Sequence, residues 1–232
     1  MLGEIKRTLR SIGFTAHPIK TRAFYIKGYR LQPDVVFDVG VFAGTPWLYK
    51  AFPAARFVLI DPQEECADKV RKTGLLPEFD YHAVALGAET RTATLNVPET
   101  EPGKGGAMAS LLERTGSLAE TFTGVEKRSV PVQRLDEIAQ AYPGRVGLKI
   151  DTEGFETEVL LGATETLNRC DFVILELSLD ARRFEGTPPP SSAITPLTEA
   201  GLELRDILTI ADGPGKRAQP RYVDALFTRW AA

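Results

Sequence analysis

Short apolar runs alternate along the chain with segments whose apolar positions recur every three or four residues, the rhythm of buried strands followed by half-buried helices. Leu2, Ile5, Leu9 and Ile12 keep helical spacing up to a stop at Gly13. DVVFDVG from Asp34 reads as a strand buried on both faces. Thr45 then stands as N-cap and Pro46 as first residue of a helix through WLYKAF. RFVLIDP repeats the strand pattern, and EECADKVRKTG the helical one, closed by Gly74.

YHAVALG is expected as a third strand, with TATLNV and SVPVQRL as further strands around an irregular insertion, residues 99–127, that contains PGKGG. LDEIAQAY predicts a helix, VGLKID a buried strand, FETEVLLGATETL one helix and CDFVILELS a strand. After a PPPSS break at 188–192 come a short helix near Thr195 to Ala200 and the strands LELRDIL and YVDALFTRW. Such alternation predicts an α/β fold, a mainly parallel sheet with helices on both faces.

At 232 residues and 43% apolar content, one domain spanning 1–232 is expected, with 1–30 as an N-terminal helical extension. The 28 Lys and Arg against 31 Asp and Glu give a net charge of −3 and no global basic field, so nucleic acid is not expected as a partner. Lys6, Arg7 and Arg10 form a local basic face, read as the solvated side of a docked helix, with a membrane-surface or partner helix as the alternative. Cys66 and Cys170 stand alone, which favours reduced, packed thiols over a disulfide or zinc site. No apolar stretch suits a signal peptide or a membrane span, so a cytoplasmic protein is expected, with a homo-oligomer allowed.

Candidate chemistry collects at strand ends. Asp38, Gly40 and Gly44 surround the turn after the first strand, and Asp61 ends the second, 23 residues on. That is βαβ nucleoside spacing, in which a strand-end carboxylate accepts both ribose hydroxyls. The glycines run GxxxG, with Phe42 where a pyrophosphate would need glycine, and Asp38 would repel that pyrophosphate. S-adenosylmethionine fits better, having a ribose, a cationic amino-acid end and no phosphate.

Lys149, Asp151, Glu153 and Glu156 crowd the turn at Gly154, and Glu176 reaches the same rim. Asp151 or Glu153 can orient and deprotonate an acceptor hydroxyl. Plainer roles are a helix-start acid for Glu156 and charge neutralisation for Lys149. No metal is expected, because nothing sharpens Asp151, Glu153 and Glu176 into a cation site and Lys149 competes for them. His17 and His82 have no catalytic partners in sequence, Trp47 and Trp230 read as packing residues, and Ser110 and Lys104 as parts of a solvated loop or of a lid over the acceptor.

DVGVFAG, LIDP, HAVALG, RLDEI, LKIDTEGFETEVLLGA and VILELS, in this order and spacing, resemble the FkbM-type S-adenosylmethionine-dependent methyltransferases over roughly Asp34 to Phe227. The resemblance implies a class I methyltransferase (Rossmann-like) seven-stranded sheet with an antiparallel last strand, and O-methylation of a hydroxyl on a small molecule, sugar or glycolipid. It places Asp38, Gly40 and Gly44 at the methionine end of the cofactor, Asp61 at the ribose, and Ala85 and Leu86 at the adenine. Phe42 departs from the Asn common in this family, which keeps open a non-catalytic cofactor-binding protein or partner subunit.

Overall fold

The computed structural model describes residues 2–13, 17–101, 104–120, 122–181, 183–212 and 220–230. Its strands are β1 (Val35–Val39), β2 (Arg56–Ile60), β3 (Asp80–His82), β4 (Ala85–Leu86), β5 (Arg91–Glu101), β6 (Lys104–Gly105), β7 (Gly124–Gln133), β8 (Val146–Ile150), β9 (Cys170–Ser178), β10 (Leu202–Asp212) and β11 (Pro220–Arg229). Its helices are α1 (Leu2–Ser11), α2 (Ala23–Lys27), α3 (Pro46–Ala51), α4 (Glu65–Thr73), α5 (Gly116–Ala119), α6 (Leu135–Ala139), α7 (Glu156–Leu161), α8 (Thr164–Leu167) and α9 (Pro190–Glu199).

Seven strands form one sheet in the order β10-β11-β9-β8-β1-β2-β3. Neighbours from β9 to β3 pair in parallel, and β11 runs antiparallel to both β9 and β10. This is the seven-stranded sheet with a reversed last strand that the resemblance implies. Every residue of β1 and β8 is buried, because helices cover both faces. Phe37, Leu148 and Val173 meet Leu135, Val159, Leu160 and Leu197 from α6, α7 and α9. Val36, Leu59 and Phe172 meet Ile26, Leu48 and Val70 from α2, α3 and α4. Each such side chain, fully buried, contributes about 1.5–3 kcal/mol. The chain leaves β1 toward β2 and returns to its other side as β8, so a crevice opens at the carboxyl ends between them.

A second sheet, β4-β7-β5-β6, stands beside this rim. Its β5–β7 ladder pairs Arg91 with Val132 through to Glu99 with Gly124, and Ala85, Leu95, Val97, Val130 and Val132 form its own core. Residues 99–127 hold the far ends of that ladder, β6 and α5.

Local expectations needed correction in several places. YHAVALG is two strands in two sheets: His82 pairs with Ile60, whereas Ala85 pairs with Val132, and the chain crosses between them. FETEVLLGATETL breaks into α7 and α8 at Gly162, where any Cβ would lie 2.0 Å from the Gly87 carbonyl oxygen. The last helix begins at Pro190, whose fixed φ suits a first turn, rather than near Thr195. Thr45 precedes α3 as expected, but its hydroxyl makes no capping bond. Trp230 is exposed instead of packed, with the Arg205 guanidinium 5.5 Å over its ring. Cys66 and Cys170 are free and buried, and burial pushes both thiols up to about 12.

Candidate active site

A cavity of about 270 Å³ opens at the carboxyl rim. One wall is Gly40, Phe42, Asp61, Gln63, Ala85 and Leu86; the facing wall is Met108, Ser110, Asp151, Thr152, Glu153 and Phe155. Among the described residues, three of the four non-glycine residues with positive φ, Phe42 (44°), Met108 (61°) and Glu153 (54°), line this one cavity. Left-handed backbone costs a side-chain-bearing residue about 1–2 kcal/mol. Strain of this kind concentrates where function demands it.

Asp61 ends β2 almost wholly buried. Its Oδ2 accepts the Phe42 N–H at 3.0 Å and its Oδ1 the Gln63 N–H at 2.9 Å. Burial pushes the carboxyl above its ordinary value, against those two N–H groups, which favour the charged form. Gln63 donates its side-chain amide to the Gly106 carbonyl at 2.9 Å, leaving its buried Oε1 without a hydrogen-bond partner among the described residues. One end of the cavity therefore presents acceptors, one of them unsatisfied, beside the apolar Ile60, Val84 and Leu86. Phe42 is part of the wall and leaves the cavity open; its ring carries the Lys69 ammonium at 4.0 Å.

Asp38 and Gly44, expected at the same ligand, do not line the cavity. Asp38 is wholly enclosed one layer behind it, accepting the Tyr49 hydroxyl at 2.8 Å. Lys149, its register neighbour on β8, lies 3.6 Å from Asp38 Oδ1 and 3.1 Å from Asp151 Oδ2. Burial pushes the Asp38 carboxyl up, opposed by Lys149. Burial also works to lower the Lys149 value, but Asp151 and Asp38 together outweigh it and hold the ammonium above its usual range. One cation is thus shared by two carboxylates. Gly40 is needed for backbone approach: a Cβ there would stand 1.7 Å from the Asp151 carbonyl oxygen, and its φ is +76°.

The turn after β8 is held by Glu156, whose Oε1 accepts the Thr152 N–H, the Thr152 hydroxyl and the Gly154 N–H at 2.9–3.1 Å. Burial nevertheless pushes this carboxyl up to about 7. Glu153, presented at the tip, is clamped from three sides. Its carbonyl accepts the Ser110 hydroxyl at 2.7 Å, and its Oε2 accepts Arg114 at 3.1 Å and Arg183 at 2.9 Å. Arg183 also reaches Glu176 at 2.9 Å. Burial, then Asp151 and Glu153, push the Glu176 carboxyl well above its ordinary value, with Arg183 opposing.

Oxygens of Asp151, Glu153 and Glu176 lie within 4.8 Å of one another, near enough to hold a cation. Lys149 and the two guanidinium groups already supply that positive charge.

A second cavity of about 210 Å³ adjoins the first, sharing Met108 and Ser110, and is lined further by Asn96, Pro98, Phe122 and Val125. Arg114 lines it too, with Nη1 buried and without a partner among the described residues. A wider cleft of about 630 Å³ between α7 and α9 shares only Phe155 with the first.

Gly40, Asp61, Ala85, Leu86, Asp151 and Glu153 thus meet at one cavity, with Lys149 directly behind Asp151. Ser110 is a buried tie rather than a solvated loop residue. Lys104 lies in β6, and its side chain falls outside the described part of the structure. His82 is half-buried and within 3.0 Å of the Tyr142 hydroxyl, and His17 is exposed. Sequence reasoning missed Gln63, Tyr49, Arg114 and Arg183. Gln63 was findable two residues beyond Asp61, whereas the arginines join the site through contacts 30 and 39 residues distant, which no local pattern announces.

Among solved structures, the chain is similar to the N-methyltransferase NodS of Bradyrhizobium japonicum WM9 (13% identity, 89% of this chain and 92% of that one, TM-score 0.48). It is also similar to the O-methyltransferase TomG of Streptomyces achromogenes, which is involved in tomaymycin synthesis and was solved with S-adenosylmethionine (11%, 98% and 89%, 0.46). No curated protein sequence matches it significantly. The Methyltransferase FkbM domain matches residues 38–216, from the Asp38 strand end past β10 and so across both walls of the cavity. The chain belongs to the FkbM family of S-adenosylmethionine-dependent methyltransferases.

Proposed function

We propose that this chain transfers a methyl group from S-adenosylmethionine to a hydroxyl oxygen of a small-molecule, sugar or glycolipid acceptor, and that Asp151 serves that oxygen. The carrying observation is the polarity of one cavity: the Asp61 carboxylate and the unsatisfied Gln63 Oε1 as acceptors at one end, and a lysine-backed carboxylate at the other. Asp61 and Gln63 suit a ribose diol, the Ala85–Leu86 wall suits the adenine, and the carboxylates of Asp38 and Asp151, sharing one cation, suit a cationic amino-acid end. When bound, the cofactor supplies an electrophilic methyl group, leaving the protein to orient the acceptor and exclude water.

Asp151 is the freer carboxylate, its side chain 34% exposed with Lys149 as ion-pair partner. Glu153 is held by two arginines and is better placed to position than to take a proton. Lys149 stays charged and steadies Asp151. The adjoining cavity beyond Met108 and Ser110 is the acceptor side in this reading, with Asn96, Ser110 and Arg114 as polar contacts beside the apolar Pro98, Phe122 and Val125. Phe42, the feature that favoured a binding-only protein, stands in the wall and lends that alternative no support.

Asp151→Asn tests the assignment. In a methyl-transfer screen over hydroxylated acceptors it should lower turnover by about 10²–10⁴-fold, far more than it lowers affinity for S-adenosylhomocysteine. Undiminished turnover would remove Asp151 from the chemistry.

A further inference from the structure

We infer that the N-terminal segment, residues 2–30, docks the protein on a bilayer surface carrying anionic lipids. The inference rests on charge and exposure and does not depend on the methyl-transfer reading. Residues 2–30 hold Lys6, Arg7, Arg10, Lys20, Arg22, Lys27 and Arg30 against the single acid Glu4, a net charge of +6. The rest of the chain holds 21 Lys and Arg against 30 Asp and Glu, a net charge of −9. A mildly acidic protein thus carries one strongly basic end.

That end is also apolar where it should not be. Of the ten large hydrophobic side chains exposed among the described residues, four lie here: Ile5 (51%), Ile12 (64%), Ile19 (60%) and Phe24 (69%). In α1, Leu9 is half-buried and Ile5 follows its stripe, while Lys6, Arg7 and Arg10 are exposed beside it. The expected docked helix is formed, but its apolar stripe is largely uncovered.

Arg22, Lys27 and Arg30 are likewise exposed, and none of these six cations ion-pairs with a described residue. Lys20 is the exception; with Tyr25 and Tyr29 it fastens the segment to Asp206 on β10. This tether joins the cationic, apolar surface to the catalytic fold.

A lipid surface answers both properties at once. Isoleucine and phenylalanine enter the headgroup boundary, while basic side chains reach anionic headgroups, and the two weak contributions together give stable attachment. A nucleic-acid backbone would use the cations but gain nothing from the exposed isoleucines. A second copy offering the same face would be repelled at +6 against +6. No helix among the described residues is long and apolar enough to cross a membrane, so attachment is to the surface.

Co-sedimentation of the full chain with vesicles tests this, using equimolar phosphatidylcholine and phosphatidylglycerol against phosphatidylcholine alone. The protein should pellet with the mixed vesicles, release with added salt, and stay in solution with the neutral ones or with none. The triple variant Lys6→Ala, Arg7→Ala, Arg10→Ala should weaken binding roughly a hundredfold. Ile5→Ser with Ile12→Ser should weaken it at low salt without changing the melting temperature. Equal binding to both vesicle types, no binding to either, or indifference to both variants overturns the inference. So does tighter binding to a single-stranded RNA oligonucleotide that ignores the isoleucine variant.

Discussion

The two walls of the cavity are built in different ways. The β1–β2 wall comes from consecutive βαβ elements: Gly40, Asp61 and Gln63 fall within 24 residues of chain, and backbone N–H groups hold the Asp61 carboxylate. The opposite wall is drawn from three distant stretches, the 106–111 loop, the turn after β8 and Arg183 beyond β9, joined by charged side chains. Local construction gives a rigid site for an invariant ligand part. Long-range ionic construction makes the other wall sensitive to any single charge, and the predictions below exploit that contrast.

The largest effect is expected on the ionic wall. Arg183→Met takes from the buried Glu176 carboxylate its arginine partner and leaves Glu153 with Arg114 alone, and should cost about 3–5 kcal/mol of stability, read by urea denaturation at pH 7. A loss under ~1 kcal/mol would mean that the arginine bridge contributes little and that the two walls are equally local.

Next is the turn that carries Glu153. Glu156 has a folded value of about 7 against an ordinary 4.5. A carboxyl raised on folding contributes its stabilisation fully below the unfolded value and loses it as pH rises through the folded one. Stability relative to Glu156→Gln should therefore fall by about 3 kcal/mol between pH 4.5 and 8. A pH-independent difference would show that the three donors keep Glu156 ionised throughout.

The smallest effect is expected on the local wall. Asn tolerates left-handed backbone better than Phe, so Phe42→Asn relieves φ 44° while giving up the Lys69 contact. The opposing changes should leave affinity for S-adenosylhomocysteine within about threefold, under ~1 kcal/mol on the scale of a cation–π contact, by calorimetry. A large loss would make Phe42 a direct ligand contact.

This contrast also explains what was legible in the sequence. Buried strands betray themselves by continuous apolar runs, and a strand-end acid such as Asp61 or Asp151 is visible because the strand before it is. The mainly parallel sheet follows from the same runs, whereas its seven strands and reversed last strand were what the resemblance to the FkbM-type methyltransferases implied. That Asp38 lies one layer behind the cavity was not legible, because a strand-end position does not say whether a side chain faces the cavity or lies behind it; its partner Tyr49, from α3, decides that. The split of YHAVALG between two sheets depended on pairing with Val132, some fifty residues away. Arg114 and Arg183 were invisible for the same reason, since an ion pair across the fold leaves no periodicity.

The central claim, that the βαβ wall grips an adenosine sugar through Asp61, is tested most directly by calorimetric titration of S-adenosylhomocysteine into the full chain and its Asp61→Ala variant. Saturable binding to the first and a loss of about 10–100-fold in the second, about 1.5–3 kcal/mol for hydrogen bonds to a charged group, is the expected result. Equal affinity in the two proteins, or no binding to the unaltered chain, would contradict it.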